Sequence, residues 1–334
     1  MKNYNLRKES MQWAFHNSQA KIRLIGGGFG NGKTTALVIE ALLVAEAYPG
    51  ANMLLARSTY PKLNDTLRKE CLKWCPNEWI KRKPTKDDNT LILKNGTHIN
   101  FRYVSQQGKS SDSGATTSNL LSATFDFIGV DQVEDPEISY KDFVDLLGRL
   151  RGDTNRRAGA NTHWPDNGPR WMVLTCNPTR NWVFRKLVRP LQLYEQAKVR
   201  HPDLLVDPKT KECIIELFEA ATYENTNLAD DFIMGLESAY KGAMRERFLE
   251  GKWAAYEGLV YPQYDLLIHS IPRADILEYF KGLIASGIKP NIIEGYDFGL
   301  ASHSCYGFSL VDYYGNVFLY VPFPKVTNNI NSIT

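Results

Sequence analysis

The 334-residue sequence lacks any uncharged apolar run of ~18 residues, the length a helix needs to cross a bilayer, so no membrane span is expected. Its first ten residues, Met1 to Ser10, contain no apolar signal core, which argues against secretion. Cysteine is sparse: Cys71, Cys75, Cys176, Cys213 and Cys305 are odd in number and scattered. That is the pattern of reduced cytoplasmic thiols rather than of a disulfide framework. Cys71 and Cys75 could share a helix face, but no second ligand pair lies near them, so zinc is not expected. Internal repeats and low-complexity tracts are absent. So is a strong charge bias, the formal net charge being +3. The distribution of charge is less even than the total. From Arg149 to Arg189, nine basic residues (Arg149, Arg151, Arg156, Arg157, Arg170, Arg180, Arg185, Lys186, Arg189) accompany only two acids, Asp153 and Asp166. Such a stretch is either a solvated face or a surface for a phosphate-rich partner.

What is present is a globular composition, 43% hydrophobic and 23% charged, which excludes global disorder. The length suits two domains. Residues 21–26 (Lys-Ile-Arg-Leu-Ile-Gly) read as a buried strand, and Thr34 to Ala47 as a helix closed by Pro49-Gly50. Met53 to Ala56 reads as a second strand, 62–74 as a helix, and Asn95-Gly96 as the turn of a hairpin. Phe125 to Val130 and Trp171 to Thr175 are further apolar strands. Strands alternating with helices predict an α/β fold with a mostly parallel sheet. After about residue 190 the pattern changes, with a long helical stretch over roughly Leu228 to Glu250. A new apolar run, Asn291 to Tyr296, opens a second β-rich unit.

Between the first strand and helix lies Gly27-Gly28-Phe29-Gly30-Asn31-Gly32-Lys33-Thr34, which satisfies the phosphate-loop pattern in its required context. Glycines let successive N–H groups curl around phosphates at the positive end of the helix. Lys33 supplies a mobile charge for the β- and γ-oxygens, and the Thr34 hydroxyl joins a Mg²⁺ shell. A nucleotidase also needs an acid at the end of a neighbouring strand, and Asp131 fits as the metal-holding residue. Gln132 stands where a water-polarising glutamate would follow, with Glu134 two residues on. Glu134 is the favoured base. The alternative is that Gln132 only orients the water.

With these motifs in order, the chain resembles the large subunit of tailed-phage terminases, ATP-driven motors that package DNA into a procapsid. Gln12, with Phe15 and Ser18, looks like the family's adenine-reading motif, and Arg57 like a frequent arginine near the nucleotide. Leu174-Thr175-Cys176-Asn177-Pro178 looks like the motif that couples hydrolysis to movement, and Gly148-Arg149-Leu150-Arg151 precedes it as in relatives. Tyr223 to Asn227 and Gly251 to Pro262 resemble the lid and linker. Two positions depart from the family. Phe29 stands where many relatives carry an arginine, leaving Arg57, Arg149, Arg151 or a neighbouring subunit to supply that charge, and Gln132 leaves the base in question.

The resemblance implies a P-loop ATPase of the ASCE type over 1–190, a lid and linker over 191–265, and an incomplete ribonuclease-H-like nuclease over 266–334. It implies ATP held by Gln12, Gly27, Gly28, Gly30, Asn31, Gly32, Lys33, Thr34, Thr35, Thr175 and Asn177, with Mg²⁺ on Thr34 and Asp131. Catalysis would fall to Lys33, Asp131 and Glu134, with Asp297 in the nuclease. The implied partners are double-stranded DNA, a portal protein, a small terminase subunit and further copies of the chain in a ring. The implied setting is the host cytoplasm, outside the mature virion.

Gly295-Tyr296-Asp297-Phe298-Gly299 resembles the first metal-binding strand of the terminase nuclease, where an aspartate bridges two Mg²⁺ or Mn²⁺ ions. After Asp297 the only acid is Asp312, in a turn read as a hairpin tip. The nuclease is therefore expected to be unfinished and inactive in this chain. Two other readings are a helicase-like or repair ATPase, which the Gly295–Gly299 and Gly251–Pro262 segments disfavour, and a nucleotide-binding structural protein without hydrolysis.

Overall fold

The computed structural model describes residues 4, 6–104, 123–161, 163–198, 200–253, 271, 273–297 and 305–320. Two compact units divide the chain, Met1–Pro262 and Gln263–Thr334. The first is built on an eight-stranded sheet of β1 (Ile22–Gly27), β2 (Asn52–Arg57), β3 (Ile80–Arg82), β4 (Thr90–Leu93), β5 (His98–Tyr103), β6 (Phe127–Val130), β7 (Trp171–Cys176) and β8 (Ile215–Ala220), in the order β3-β4-β5-β2-β6-β7-β1-β8. From β5 to β8 every neighbouring pair is parallel, while β3-β4-β5 is antiparallel. The β4–β5 hairpin turns at Asn95-Gly96, where Gly96 takes φ +89. β1, β6 and β7 are buried at every position. Strands covered on both faces read as unbroken apolar runs, which is why the sequence marked them clearly.

Helix α1 (Met11–Asn17) precedes β1, and α2 (Lys33–Ala47) follows it. Burial of α2 on nearly all sides identifies it as an interior helix. A helical stretch over 60–74 ends in α3 (Lys69–Trp74), and α4 (Tyr140–Leu147) follows β6. α5 (Arg189–Ala197) leads towards β8. Because β8 pairs along its length with β1, the sheet that holds β1 runs on past residue 190, where the sequence pattern changes. Only the partner strand's register could reveal this. The long helix expected over Leu228 to Glu250 is two, α6 (Asp230–Ala239) and α7 (Gly242–Phe248). The break falls at Tyr240 and Lys241, both extended, with Gly242 at φ +53 beside them.

A fully buried ion cluster ties α1 to this core. Arg23 on β1 donates to Glu40 on α2 at 2.7 Å, and His16 on α1 bonds the other Glu40 oxygen at 2.6 Å. The Arg23 guanidinium lies between the rings of Phe15 and Trp171, 5.0 and 4.7 Å from their centroids. Burial works to raise the Glu40 pKa, but Arg23 and His16 outweigh it and hold the carboxyl below its ordinary value. Glu40→Ala strands a buried guanidinium, so the variant should lose about 3–5 kcal/mol of stability, read from denaturant unfolding. A loss below about 1 kcal/mol, the worth of an exposed pair, would contradict it.

The second unit contains α8 (Arg273–Ala285) and an antiparallel sheet of β9 (Asn291–Asp297), β10 (Cys305–Val311) and β11 (Val317–Tyr320), ordered β11-β10-β9. Asp312 organises the β10–β11 turn. Its carboxylate accepts from Tyr279 Oη at 2.6 Å, from the Tyr314 and Asn316 N–H groups, and from Asn316 Nδ2.

Candidate nucleotide site

The loop between β1 and α2 closes on itself through Lys33. Its ammonium donates to the carbonyls of Gly27 (2.9 Å) and Gly28 (2.7 Å) and to Asn31 Oδ1 (3.1 Å). Gly32 caps α2 in the left-handed region at φ +86, a conformation that favours glycine. Gly28 is required for close approach: a Cβ there would lie 2.4 Å from Thr222 Oγ1 and 2.6 Å from the Phe248 carbonyl. Gln12 reaches the loop from α1, donating to the Asn31 carbonyl at 2.8 Å. Asn31 itself donates to the Ala220 carbonyl at 3.1 Å.

Three adjacent strand ends complete the site. Asp131 Oδ1, just past β6, accepts from Thr34 Oγ1 at 2.8 Å and from Thr175 Oγ1, on β7, at 2.7 Å. Thr175 Oγ1 in turn accepts from the Gln132 N–H at 2.9 Å. Asp131 Oδ2 is buried without a hydrogen-bond partner, 3.6 Å from Arg57 Nη1. Glu134 Oε1 accepts from Asn177 Nδ2 at 2.7 Å, and Glu134 Oε2 is likewise buried without a hydrogen-bond partner. Unsatisfied buried carboxylate oxygens are costly. Two of them beside a lysine and a threonine hydroxyl form a donor set suited to a hard cation and a polarised water.

Burial pushes the Lys33 ammonium down to about 8, against the raising influence of Glu134, Cys176 and Asp131. Burial pushes Glu134 up to about 7, opposed by hydrogen bonds from Asn177 and by the charge of Lys33. An acid poised near neutral pH suits general base work. Gln132 sits at φ +53, a conformation uncommon for a residue with a side chain. Its amide oxygen accepts from Arg57, which also donates to Thr66 Oγ1.

Of the residues singled out in the sequence, Lys33, Thr34, Asp131, Glu134, Thr175, Asn177 and Arg57 are joined by these contacts. Thr35 is an exception. Its hydroxyl donates to Glu70 at 2.7 Å, so its side chain faces α3 rather than the Thr34–Asp131 pair. A cleft of about 360 Å³ opens there, lined by Thr34, Thr35, Asp65, Thr66, Lys69, Glu70 and Lys73. Among the described residues, neither Arg149 nor Arg151 forms a hydrogen bond or ion pair with Asp131. Asp297 ends β9, paired in register with Cys305, and its side chain lies outside what the structure describes. Among the described residues no group of three or more His, Cys, Asp or Glu is gathered as for a metal ion. No helix among them is long and apolar enough to cross a membrane. The basic stretch is partly neutralised: Arg156 pairs with Asp166, Arg157 with Glu46 and Lys186 with Asp203. Arg151, Arg180 and Arg185 are each exposed. Sequence reading missed Thr66, Glu70 and Asn181, whose amide donates to the Glu134 carbonyl at 3.0 Å. None of these sits in a motif.

The family model described as the phage terminase large subunit matches residues 19–228. The chain belongs to that family. The large terminase of a thermophilic bacteriophage has a similar fold, at TM-score 0.54 and 14% identity over 93% of this chain and 68% of that one. A structure of the same phage protein in complex with ADP gives TM-score 0.53 at 16% identity, with the same coverage. No curated protein matches the sequence at a significant level. The fold is that of a P-loop ATPase of the ASCE type: β7 lies between the loop strand β1 and the acidic strand β6. Terminase membership thus rests on a sequence match that spans both β1 and β6, including the loop and Asp131.

Proposed function

We propose that this terminase chain hydrolyses ATP and that the cycle drives double-stranded viral DNA into a procapsid. The observation that carries the reading is the bonding of Thr34 and Thr175 to one oxygen of Asp131, beside a buried Glu134 with a free oxygen. Lys33 exchanges the Gly27 and Gly28 carbonyls for the β- and γ-phosphate oxygens of ATP. The N–H groups of Thr34 and Thr35, which a helix start leaves without intrahelical acceptors, face the phosphates. Gln12 contacts the base. Thr34 and Asp131 would hold Mg²⁺, which when bound neutralises the charge developing on the transferred phosphoryl group. Glu134 takes the proton from the attacking water, held by Asn177. Thr175 touches both Asp131 and the Gln132 N–H, so a change at the phosphate reaches the β7 strand end directly. Arg57 comes within 3.6 Å of Asp131 Oδ2, and it replaces the charge that Phe29 lacks.

The exposed Arg151, Arg180 and Arg185 contact DNA phosphates without reading bases. The portal protein, the small terminase subunit and further copies in a ring are the partners we assign, and the host cytoplasm the site of action. Steady-state phosphate release, measured with and without blunt duplex DNA, tests the proposal. Stimulation by duplex that weakens with salt, without unwinding of a forked substrate, is expected. No release under any condition would reject it.

Cleavage of DNA belongs, in this reading, to a two-cation site that needs several carboxylates, and Asp312, committed to its turn, does not join Asp297 in one. Plasmid incubated with Mn²⁺ should remain uncut by the wild-type chain. Efficient cutting abolished by Asp297→Ala would overturn that expectation.

A further inference from the structure

One loop residue is bound on every side by a distant segment. The Phe29 N–H donates to the Phe248 carbonyl at 2.7 Å, and the two rings stack with centroids 4.5 Å apart and planes 8° from parallel. Thr222 Oγ1 bonds both the Phe29 carbonyl (2.7 Å) and the Phe248 carbonyl (3.1 Å). On either side, the Gly28 N–H donates to the Ala220 carbonyl at 3.2 Å and Asn225 Nδ2 donates to the Gly30 carbonyl at 2.5 Å. The side chains of Leu228 and Phe232 lie 3.1 Å from where a Gly30 Cβ would stand. Tyr240 extends the aromatic cluster, its ring 5.2 Å from that of Phe248.

Each contact alone is soft. Together they leave Phe29 no displacement that segment 222–249 does not share, because backbone bonds, side-chain bonds and a ring stack meet at one residue. Arg247 joins the same cluster: its guanidinium lies over the Phe248 ring, 4.5 Å from the centroid, and donates to Thr179 Oγ1, two residues beyond Asn177. α7 therefore touches both the phosphate loop and the turn after β7.

We infer that Phe29 is a positioning residue that links the phosphate loop to α7, so that nucleotide-driven movement of the loop leaves the site through the Phe29–Phe248 stack. The inference rests on the ATPase reading above. An uncharged aromatic at this position gives up a charge near the phosphates and gains a rigid connection to the segment after β8. A coupling claim needs an element biased by both sites, and α7 is that element.

Hydrogen–deuterium exchange of the full chain with and without ATPγS tests the link. In the wild type, protection should change at 27–34 and at 242–249 together. In Phe29→Leu the change should stay confined to the loop, and Phe29→Tyr, which keeps the ring, should behave as wild type. In steady state, Phe29→Leu should lower kcat by about 10-fold with KM within about 3-fold, the signature of a lost step rather than lost binding. Phe248→Leu removes the stack from the other side and should give the same pattern, so a folding failure of one variant leaves the test intact. An unchanged α7 response in Phe29→Leu, or a wild-type loop response without any in α7, overturns the link while leaving ATP binding standing. No response anywhere in the wild type overturns the ATPase reading, and the link with it.

Discussion

Glu134→Gln should abolish turnover while leaving ATP binding intact. General bases contribute roughly 10²–10⁴-fold to rate, so kcat is expected to fall by about 10³-fold, with the ATP dissociation constant within about 3-fold of wild type. The amide keeps the shape and can still accept from Asn177, but it cannot take a proton. In the free enzyme Glu134 lies at about 7 and Lys33 at about 8. Hydrolysis needs the first ionised and the second charged. The pH profile of kcat/KM should therefore be a narrow bell, its acid limb set by Glu134 and its alkaline limb by Lys33. Glu134→Gln should erase the acid limb from whatever rate remains. Stability carries the opposite sign. A carboxyl raised by burial contributes stability that is present below the ordinary carboxylate range and is lost as pH rises through about 7. Relative to wild type, Glu134→Gln should then melt higher at pH 8 than at pH 5. Calorimetry at the two pH values checks this, and unchanged turnover would remove Glu134 from the role of base.

Lys33→Ala should fail at the earlier step. Loss of a charged donor to phosphate costs about 1.5–3 kcal/mol, so ATP affinity is expected to weaken by up to ~10²-fold and turnover to vanish. The same change frees the Gly27 and Gly28 carbonyls that the ammonium now holds, which loosens the loop in the nucleotide-free state. Equilibrium binding of a fluorescent ATP analogue separates the two variants: retained in Glu134→Gln, lost in Lys33→Ala. Full affinity in Lys33→Ala would mean that the lysine is a structural clasp of the loop and nothing more.

Much of the site was legible because its chemistry is local. Gly27 to Thr34 is one contiguous motif whose residue types are demanded by phosphates, and Asp131 ends an apolar strand that burial on both faces made unmistakable. Between Glu134 and Gln132 the sequence carried only a preference for Glu134. The choice turns on burial, on the hydrogen bond from Asn177 and on the φ of Gln132, and each depends on strands 40 or more residues apart in sequence. The choice among Arg57, Arg149 and Arg151 was equally hidden, since only packing of β2 beside β6 brings Arg57 to Asp131. The setting of the Thr35 side chain was hidden for a related reason. Its position in the motif is right, but Glu70 from the following helical stretch takes its hydroxyl.

The amino-acid sequence alone determined that an α/β core would carry a phosphate loop at the end of its first strand and an acid at the end of another. Hydrophobic periodicity and backbone sterics act over a few residues and need no partner to be read. Tertiary structure decided where the core ended, by laying β8 against β1, and which charges met, by closing β2, β6 and β7 around Asp131. It also decided that Phe29 would meet Phe248, more than two hundred residues away. Such contacts follow from strand order and packing, which no local pattern encodes.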